Sequence, residues 1–315
     1  MDIRLETSHV PVLFNEVMEA LQVRDGGTFL DCTVGGGGHL KGILDAHSES
    51  SVVGLDRDQN AIDYVSKTLA EYDSRVSLIN TPFSNLQSAK SGSPYNGILA
   101  DFGLCSDQLV EERGFSFNQK AKLDMRMSQD QEFSAEDIVN NFEVRKLKRI
   151  LLVGGVGKNS GRYAKAIFSN RPVLDTAQLA KIISEATPFR DRKESHPATV
   201  VFQAIRIAVN DELGEIESLL DQVPDLVADK GRLVCIAFHS LEDRLVAKTM
   251  RKWQGERGPA NWPGGVALSR MSLGALLTKK AVTASKEEVL ANPRARSAKM
   301  RVFEFSAAES DSNIL

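Results

Sequence analysis

Apolar residues along this chain follow two alternating patterns, short continuous runs and runs with a helical period. Continuous apolar runs, which are typical of buried strands, occupy residues 28–33, 51–56, 76–79 and 97–104. Between these runs, as over residues 62–69, apolar side chains recur every three or four positions and predict helices that pack on a sheet. Strands that alternate with helices indicate an α/β fold built on a doubly wound parallel sheet.

The alternation stops after the strand predicted at 97–104 and resumes only at a strand predicted for residues 231–238. The intervening residues have helical periods and loops but no strand pattern. An inserted helical domain is the simplest explanation. We expect it at residues 108–208, within a discontinuous domain formed by residues 1–107 and 209–315.

Charge is unevenly divided between these two parts. The whole sequence has 39 Lys and Arg against 42 Asp and Glu, and its net charge of -3 by itself argues against a nucleic-acid partner. Residues 108–208, however, hold 17 basic and 12 acidic residues. Within them, a basic run predicts a positive face that binds phosphates, and its members are Arg145, Lys146, Lys148 and Arg149. The alternative is a solvated helix face without a ligand.

The cysteines and the first residues bear on the compartment. Cys32, Cys105 and Cys235 stand in apolar, strand-like runs without CxxC spacing, so we expect buried thiols in a reducing compartment and no metal site. The first residues carry charges and a proline rather than an apolar leader, and no apolar run is long enough to span a membrane. We therefore expect a cytoplasmic protein.

The first predicted strand contains an acid, Asp31, and a glycine turn follows it, so that the acid and the turn span residues 31–38. A dinucleotide fingerprint fails here because its third glycine would fall on Leu40 or Lys41, and no Gly-Lys-Ser/Thr follows for a P-loop. The predicted strands at 51–56 and 97–104 also carry acids in their second halves, at Asp56 and Asp101. This series of strand ends resembles that of the Rossmann-like, class I S-adenosylmethionine-dependent methyltransferases.

That resemblance implies a role for each strand end. The glycine turn accepts the amino-acid part of the cofactor, and the acid that ends the second strand, Asp56, binds the ribose hydroxyls. Phe83 lies against the adenine in this interpretation, although packing alone explains an aromatic residue at this position equally well.

Longer motifs are similar to those of the bacterial RsmH/MraW family and span nearly the whole chain. They lie at residues 101–109, 112–117 and 123–127, with HPAT at 196–199, FQAIRIAVN at 202–210, FHSLEDR at 238–244 and NPRARS at 292–297. Members of that family methylate the exocyclic N4 amine of a decoding-centre cytosine in small-subunit (16S) ribosomal RNA, and a helical domain thought to contact RNA interrupts their methyltransferase domain. The resemblance implies cofactor contacts at Gly37, Gly38, His39, Asp56, Phe83, Asp101 and Gln108.

Two segments depart from the family pattern. Where the family usually has Ser-Ser-Pro-Gln-Leu, this chain has Cys105-Ser106-Asp107-Gln108-Leu109. An expected aromatic-Gly-Glu-Glu segment in the insert is replaced by Gly154-Gly155-Val156-Gly157, which removes two carboxylates and adds flexibility. The second departure leaves open a shifted substrate or a reduced activity.

Methylation of the N4 amine defines what a catalytic residue must do. This amine is a poor nucleophile because its lone pair is delocalised into the ring. A catalyst must accept a hydrogen bond from its N–H and hold the nitrogen in line with the methyl group. We assign Asp101 as the polar group nearest the transfer. The alternative is a carboxylate that only forms a turn.

Three further polar residues are candidates for contact with the RNA. His239 and Asn210 are candidate contacts for the base or its phosphate, and Arg206 lies on the same helix face as Asn210. His239 has an alternative as a partly buried histidine. For Ser240 with Asp243, the alternative to a functional role is a capping box at the start of the following helix.

Two other functions remain open on the sequence alone. One is a methyltransferase that acts on DNA or a small molecule, and the basic insert and the motif series argue against a small molecule. The other is a non-catalytic RNA-binding or ribosome-assembly factor that has kept the fold, which the change at 154–157 keeps open. The sequence does not predict an oligomeric state.

Overall fold

The computed structural model describes residues 11–90, 92–103, 113–128, 130–191, 196–255 and 272–306. The chain divides into two compact units. One, the sheet unit, comprises Met1–Gly103 and Glu215–Leu315, and the other, the helical unit, comprises Leu104–Gly214. No helix within the described ranges is long and apolar enough to cross a membrane.

The described part of the sheet unit contains a seven-stranded sheet. Its strands are β1 (Thr28–Asp31), β2 (Ser51–Asp56), β3 (Val76–Asn80), β4 (Tyr95–Asp101), β5 (Val227–Ala237), β6 (Gly274–Leu276) and β7 (Lys299–Phe305). Their order is β3-β2-β1-β4-β5-β7-β6, in which β7 is antiparallel to both of its neighbours and the other pairs are parallel. This arrangement confirms the Rossmann-like α/β fold predicted from the sequence.

The direction of the chain across the sheet identifies where a ligand binds. From β1 the chain proceeds outward through β2 to β3, and then returns to β4 on the other side of β1. The strand order therefore reverses between β1 and β4. Doubly wound sheets bind their ligands outside the carboxyl ends of the strands at such a reversal.

The helices divide between the two units. They are α1 (Phe14–Ala20), α2 (Gly38–Ala46), α3 (Gln59–Thr68), α4 (Ala135–Asn141), α5 (Val144–Val153), α6 (Ser160–Ser169), α7 (Thr176–Ala186), α8 (Ala198–Asn210), α9 (Glu212–Gln222), α10 (Ser240–Gln254) and α11 (Lys286–Ala291). Because side chains alternate along a strand, Leu30 of β1 joins the core that contains Leu219 of α9. Its neighbour Phe29 joins a second core, which contains Ile43 of α2.

Strand limits differ from the predicted ones where polar residues interrupt the apolar pattern. The strand β5 begins at Val227, which pairs with Tyr95, rather than at residue 231. Asp229 and Lys230 hide this start in the sequence, and Lys230 has a left-handed φ of 61°. The three-residue strand β6 was not predicted because so short a segment has no periodic signal.

The structure confirms the predicted state of two cysteines. Cys32 and Cys235 are buried free thiols, and burial raises the pKa of both. Cys105 lies outside the described residues.

The helical unit packs α4 to α8 around one apolar core, which includes Leu147 and Leu151 of α5 and Ile205 of α8. Its described residues form no strand. The unit ends at Gly214 rather than at the expected residue 208, since α8 runs to Asn210 and Val209 belongs to the same core.

Candidate active site

Packing within the sheet unit requires two of the four glycines at residues 35–38, where the turn after β1 leads into α2. Gly37 has a left-handed φ of 77°, and a Cβ there would lie 2.9 Å from Val65 Cγ2. A Cβ on Gly38 would lie 2.3 Å from Pro11 Cγ. A Cβ on Gly36, by contrast, would meet no described atom within 4 Å. The space beside Gly36 is therefore open to a ligand.

Asp56, the last residue of β2, connects this turn to the sheet. Its Oδ2 accepts a hydrogen bond from the Gly35 N–H at 2.8 Å, and its Oδ1 accepts one from the Asp58 N–H at 2.8 Å. Burial raises the pKa of the Asp56 carboxyl, and the two backbone donors oppose that rise. Each oxygen keeps a second lone pair, so the predicted bond to ribose hydroxyls is compatible with these contacts.

Two further predicted cofactor contacts are Phe83 and Gln108. Phe83 is half-buried, and its ring centroid lies 5.8 Å from that of Phe102 with the planes tilted by 52°. It packs against the core that contains Leu30, so both interpretations of Phe83 stay open. Gln108 lies outside the described residues.

Asp31 and Asp101 end the two strands that flank the reversal, and Thr33 links them. The Thr33 N–H donates to Asp31 Oδ1 at 3.0 Å, and Thr33 Oγ1 accepts from the Asp101 N–H at 2.8 Å. Asp31 is fully buried. The Asp101 side chain is 21% exposed, yet its Oδ1 is buried and has no hydrogen-bond partner among the described residues.

Both carboxyls hold a proton more strongly than free aspartate does. Burial raises the pKa of Asp31 to about 7, with a further rise from the negative charge of Asp56. Burial also raises the pKa of Asp101 to about 7, the charge of Asp31 adds to this rise, and the Gly103 N–H opposes it. A carboxyl with such a pKa is suited to take up a proton near neutral pH.

His39, a predicted cofactor contact, lies beside Asp101. Its Nε2 is 3.1 Å from the Val12 carbonyl oxygen, and its Nδ1 is 4.0 Å from Asp101 Oδ2. The Phe14 ring lies nearly parallel to the imidazole, with 6.2 Å between the centroids. Burial lowers the pKa of His39 to about 4, so the ring is neutral near pH 7.

His239 is the N-cap of α10, so the capping box here is formed by His239 and Glu242 rather than by Ser240 and Asp243. His239 Nδ1 accepts from the Glu242 N–H at 3.3 Å, and Glu242 Oε2 accepts from the His239 N–H at 3.1 Å. The second ring nitrogen, Nε2, lies 3.1 Å from Glu242 Oε1. These contacts account for the position of His239 without a substrate.

Within the helical unit, Asn210 and Arg206 bond to the protein itself. Asn210 Oδ1 accepts from the Met127 N–H at 2.8 Å, and its Nδ2 donates to the Met125 carbonyl at 2.7 Å. Arg206 forms two bonds of 2.7 Å with the Glu212 carboxylate. Both residues therefore have a structural role within this unit, and their contact with the base or the RNA stays a prediction.

The basic run lies on one face of α5. Its four side chains are exposed, whereas Leu147 and Leu151 on the other face are buried in the helical core. The segment after α5 has a packing role, because a Cβ on Gly154 would lie 2.2 Å from Ala204 Cβ of α8. The departure at 154–157 therefore permits close approach of two helices.

The sequence does not single out three residues of this arrangement. The open space beside Gly36, the buried carboxyl of Asp31 and the bridging contacts of Thr33 appear only in three dimensions. A signal existed for Asp31, since it ends a buried strand in the same way as Asp56 and Asp101 do.

Comparison with known proteins gives matches over nearly the full length. The model of a family described as the MraW methylase family matches residues 6–306. Ribosomal RNA small subunit methyltransferase H of Cyanothece sp. (strain PCC 7425 / ATCC 29141) is 43% identical over 298 residues, which cover 94% of each chain. The protein of that name from Nostoc punctiforme is 42% identical and covers 95% of each chain. The one from Nitratiruptor sp. is 40% identical and covers 96% of this chain and 99% of its own.

Proposed function

This chain belongs to the MraW methylase family, and on that premise we propose that it methylates small-subunit ribosomal RNA at the N4 amine of a decoding-centre cytosine. The named relatives are small-subunit ribosomal RNA methyltransferases. The choice of base and of position rests on the motif resemblance described above. The observation that supports the chemistry is the Asp101 carboxyl, at the reversal of the strand order and with a buried, unpartnered Oδ1 among the described residues.

The sheet unit fits S-adenosylmethionine, which supplies an activated methyl group on a sulfonium. A Cβ at position 36 would project into open space beside the turn, and glycine here leaves that space to the cofactor. Asp56 has lone pairs for a ribose diol, and Phe83 offers a half-buried ring for the adenine. These three residues would hold the cofactor.

Asp101 performs the proton chemistry in this proposal. Its carboxylate accepts a hydrogen bond from the amine N–H, which orients the nitrogen for attack. As the nitrogen gains the methyl group it loses a proton, and Asp101 takes that proton. A pKa of about 7 suits both the uptake and the retention of the proton. Near neutral pH the carboxyl is ionised often enough to accept the proton, and it is basic enough to retain it.

The helical unit supplies affinity for the RNA backbone. The four exposed basic side chains of α5 form a face on which phosphates replace bound counterions. A base within a stacked RNA must leave its stack to be modified, and backbone contacts on both sides of it stabilise that state. This face carries no base specificity in the proposal.

Nucleoside mass spectrometry of small-subunit RNA tests this function. RNA from cells with and without the protein is digested, and N4-methylated cytidine is quantified. The purified chain is then incubated with small subunits from the deficient cells and a methyl-labelled cofactor. We expect the modification to be lost in the deficient cells and to return with the label.

The Asp101→Asn variant serves as the matched control, since it keeps the shape of the side chain and removes the proton acceptor. Label on another nucleoside would contradict the cytosine assignment. RNA binding and cofactor binding without any transfer would instead support the non-catalytic ribosome-assembly factor.

A further inference from the structure

The side chain of His39 is held in one orientation between a backbone carbonyl and a carboxyl. Its Nε2 lies 3.1 Å from the Val12 carbonyl oxygen, and its Nδ1 lies 4.0 Å from Asp101 Oδ2. The imidazole is 8% exposed and stacks against Phe14. Val12 and Phe14 precede β1, so a separate segment fixes how this ring faces Asp101.

The carbonyl decides which ring nitrogen bears the proton. A carbonyl oxygen only accepts hydrogen bonds, so the contact with Val12 requires an N–H at Nε2. A neutral imidazole has one N–H, and Nδ1 therefore presents a lone pair. That lone pair faces Asp101 Oδ2.

This lone pair distinguishes the two protonation states of Asp101. An ionised carboxylate has no hydrogen to donate to it, and a separation of 4.0 Å is longer than a hydrogen bond. A protonated Oδ2 has an O–H to donate to Nδ1 once the two atoms approach to hydrogen-bond distance. The other groups that act on Asp101 are the acids Asp31 and Glu242, which also favour its proton, and the Gly103 N–H, which opposes it.

We propose that His39 is a positioning residue that accepts a hydrogen bond from the proton taken up by Asp101 Oδ2. The inference rests on the proposed function, in which Asp101 is the proton acceptor. The N–H bond of the substrate amine breaks and its electron pair stays on nitrogen, while an O–H bond forms at Oδ2. His39 keeps its own proton on Nε2 throughout and gains one hydrogen bond at Nδ1.

Two variants of His39 separate this role from a purely structural one. An asparagine amide oxygen occupies about the position of Nδ1, so His39→Asn keeps the acceptor toward Asp101 and loses the bond to Val12. A glutamine amide reaches about as far as Nε2, so His39→Gln keeps the bond to Val12 and loses the acceptor. The partly exposed His47, at the end of the same helix, provides His47→Gln as a matched control.

The experiment is a titration of the full-length protein without ligands, labelled with carbon-13 at the aspartate carboxyls and nitrogen-15 in the histidine rings. Asp101→Asn assigns the carboxyl signal. We expect His39→Gln to lower the pH at the midpoint of the Asp101 titration by about one unit, which is a tenfold change in proton affinity. His39→Asn and His47→Gln keep the wild-type midpoint.

Two results would overturn the inference. One is a proton on Nδ1 in the wild-type ring, which needs no variant and so holds even where a substitution unfolds the chain. The other is a midpoint lowered by His39→Asn but not by His39→Gln, or by neither. None of these readings depends on methyl transfer, whereas the proposed function fails independently if no N4-methylated cytidine forms.

Discussion

The two acids at the strand ends of the sheet unit and the basic run of the helical unit lie in opposite environments. In the sheet unit, Asp31 is fully buried and Asp101 is mostly buried, and burial raises the pKa of both. In the helical unit, the basic side chains of α5 are exposed. Salt screens exposed charges over about 10 Å at 0.1 M and screens buried charges far less. Charge in the first unit can therefore serve local proton chemistry, and charge in the second can contribute affinity that salt weakens.

The largest expected effect of a single substitution is at Asp101. Asp101→Asn preserves the shape of the side chain but removes the proton acceptor, so we expect the rate of methyl transfer to fall by about 10²- to 10³-fold. Cofactor affinity stays within about threefold, because the amide still accepts hydrogen bonds. Single-turnover rates and calorimetric titration with the cofactor check the two parts.

The exposed Asp221 on α9 provides the control for this variant, and Asp221→Asn is expected to change neither quantity. A wild-type rate in Asp101→Asn or Asp101→Ala, with binding retained, would show that Asp101 does not take the proton. The contrast between buried and exposed acids would then carry no meaning for catalysis.

The next effect is on RNA binding by the helical unit. Replacing the four basic residues of α5 by glutamate is expected to weaken RNA binding by about 10²-fold at 0.1 M salt and to flatten its salt dependence. Cofactor affinity stays unchanged. The residues are Arg145, Lys146, Lys148 and Arg149. Binding isotherms at several salt concentrations measure both terms.

In a matched variant, glutamate replaces four exposed basic residues of the sheet unit, which are Lys67, Lys248, Arg251 and Lys252. It changes the net charge of the chain by the same amount. An equal loss of affinity in both variants would mean that total charge, rather than the face of α5, controls RNA binding.

The sequence predicts the sheet unit well because its signals are local. Continuous apolar runs mark β1, β2 and β4, and an acid at the end of each run places a polar group at the carboxyl edge. Contacts between distant segments leave no such signal. Thr33 joins Asp31 to Asp101 only because β1 and β4 are neighbours, although they are far apart along the chain.

Polar side chains on helices show more clearly what the sequence alone does not predict. The spacing of Arg206 and Asn210 predicts that they share a face, but spacing does not say what that face meets. In the structure, one pairs with Glu212 and the other bonds to the backbone near Met125. The cap of α10 shows a related limit, because His239 and Ser240 are both polar and only the backbone conformation selects His239.

A smaller effect is expected from Asn210, which tests its structural assignment. Its amide holds a segment in which Met125 has a left-handed φ of 58°, and Asn210→Ala removes a partner from the buried Met125 carbonyl and from the partly buried Met127 N–H. We expect the helical unit to lose about 2 kcal/mol of its free energy of unfolding. Hydrogen exchange of amides in α8 measures this loss.

Gln203, half-buried on α8, provides the control, and Gln203→Ala is expected to cost less than about 0.5 kcal/mol. If Asn210→Ala leaves exchange unchanged but weakens RNA binding, Asn210 contacts the RNA after all. The helical unit would then contain a recognition residue beneath its charged face.

The smallest effect concerns Asp31, and it tests directly whether buried charges in the sheet unit escape screening. Asp31→Asn keeps an acceptor for the Thr33 N–H and removes a negative charge that disfavours ionisation of Asp101. The Asp101 midpoint should therefore fall, by about one pH unit, and carbon-13 titration measures it. Raising the salt concentration to 0.5 M should leave this shift intact, because the two groups are not separated by bulk water.

Asp45→Asn, at an exposed acid of α2, should produce no shift. A shift that disappears in salt would mean that water reaches between Asp31 and Asp101, and the two units would then treat charge alike.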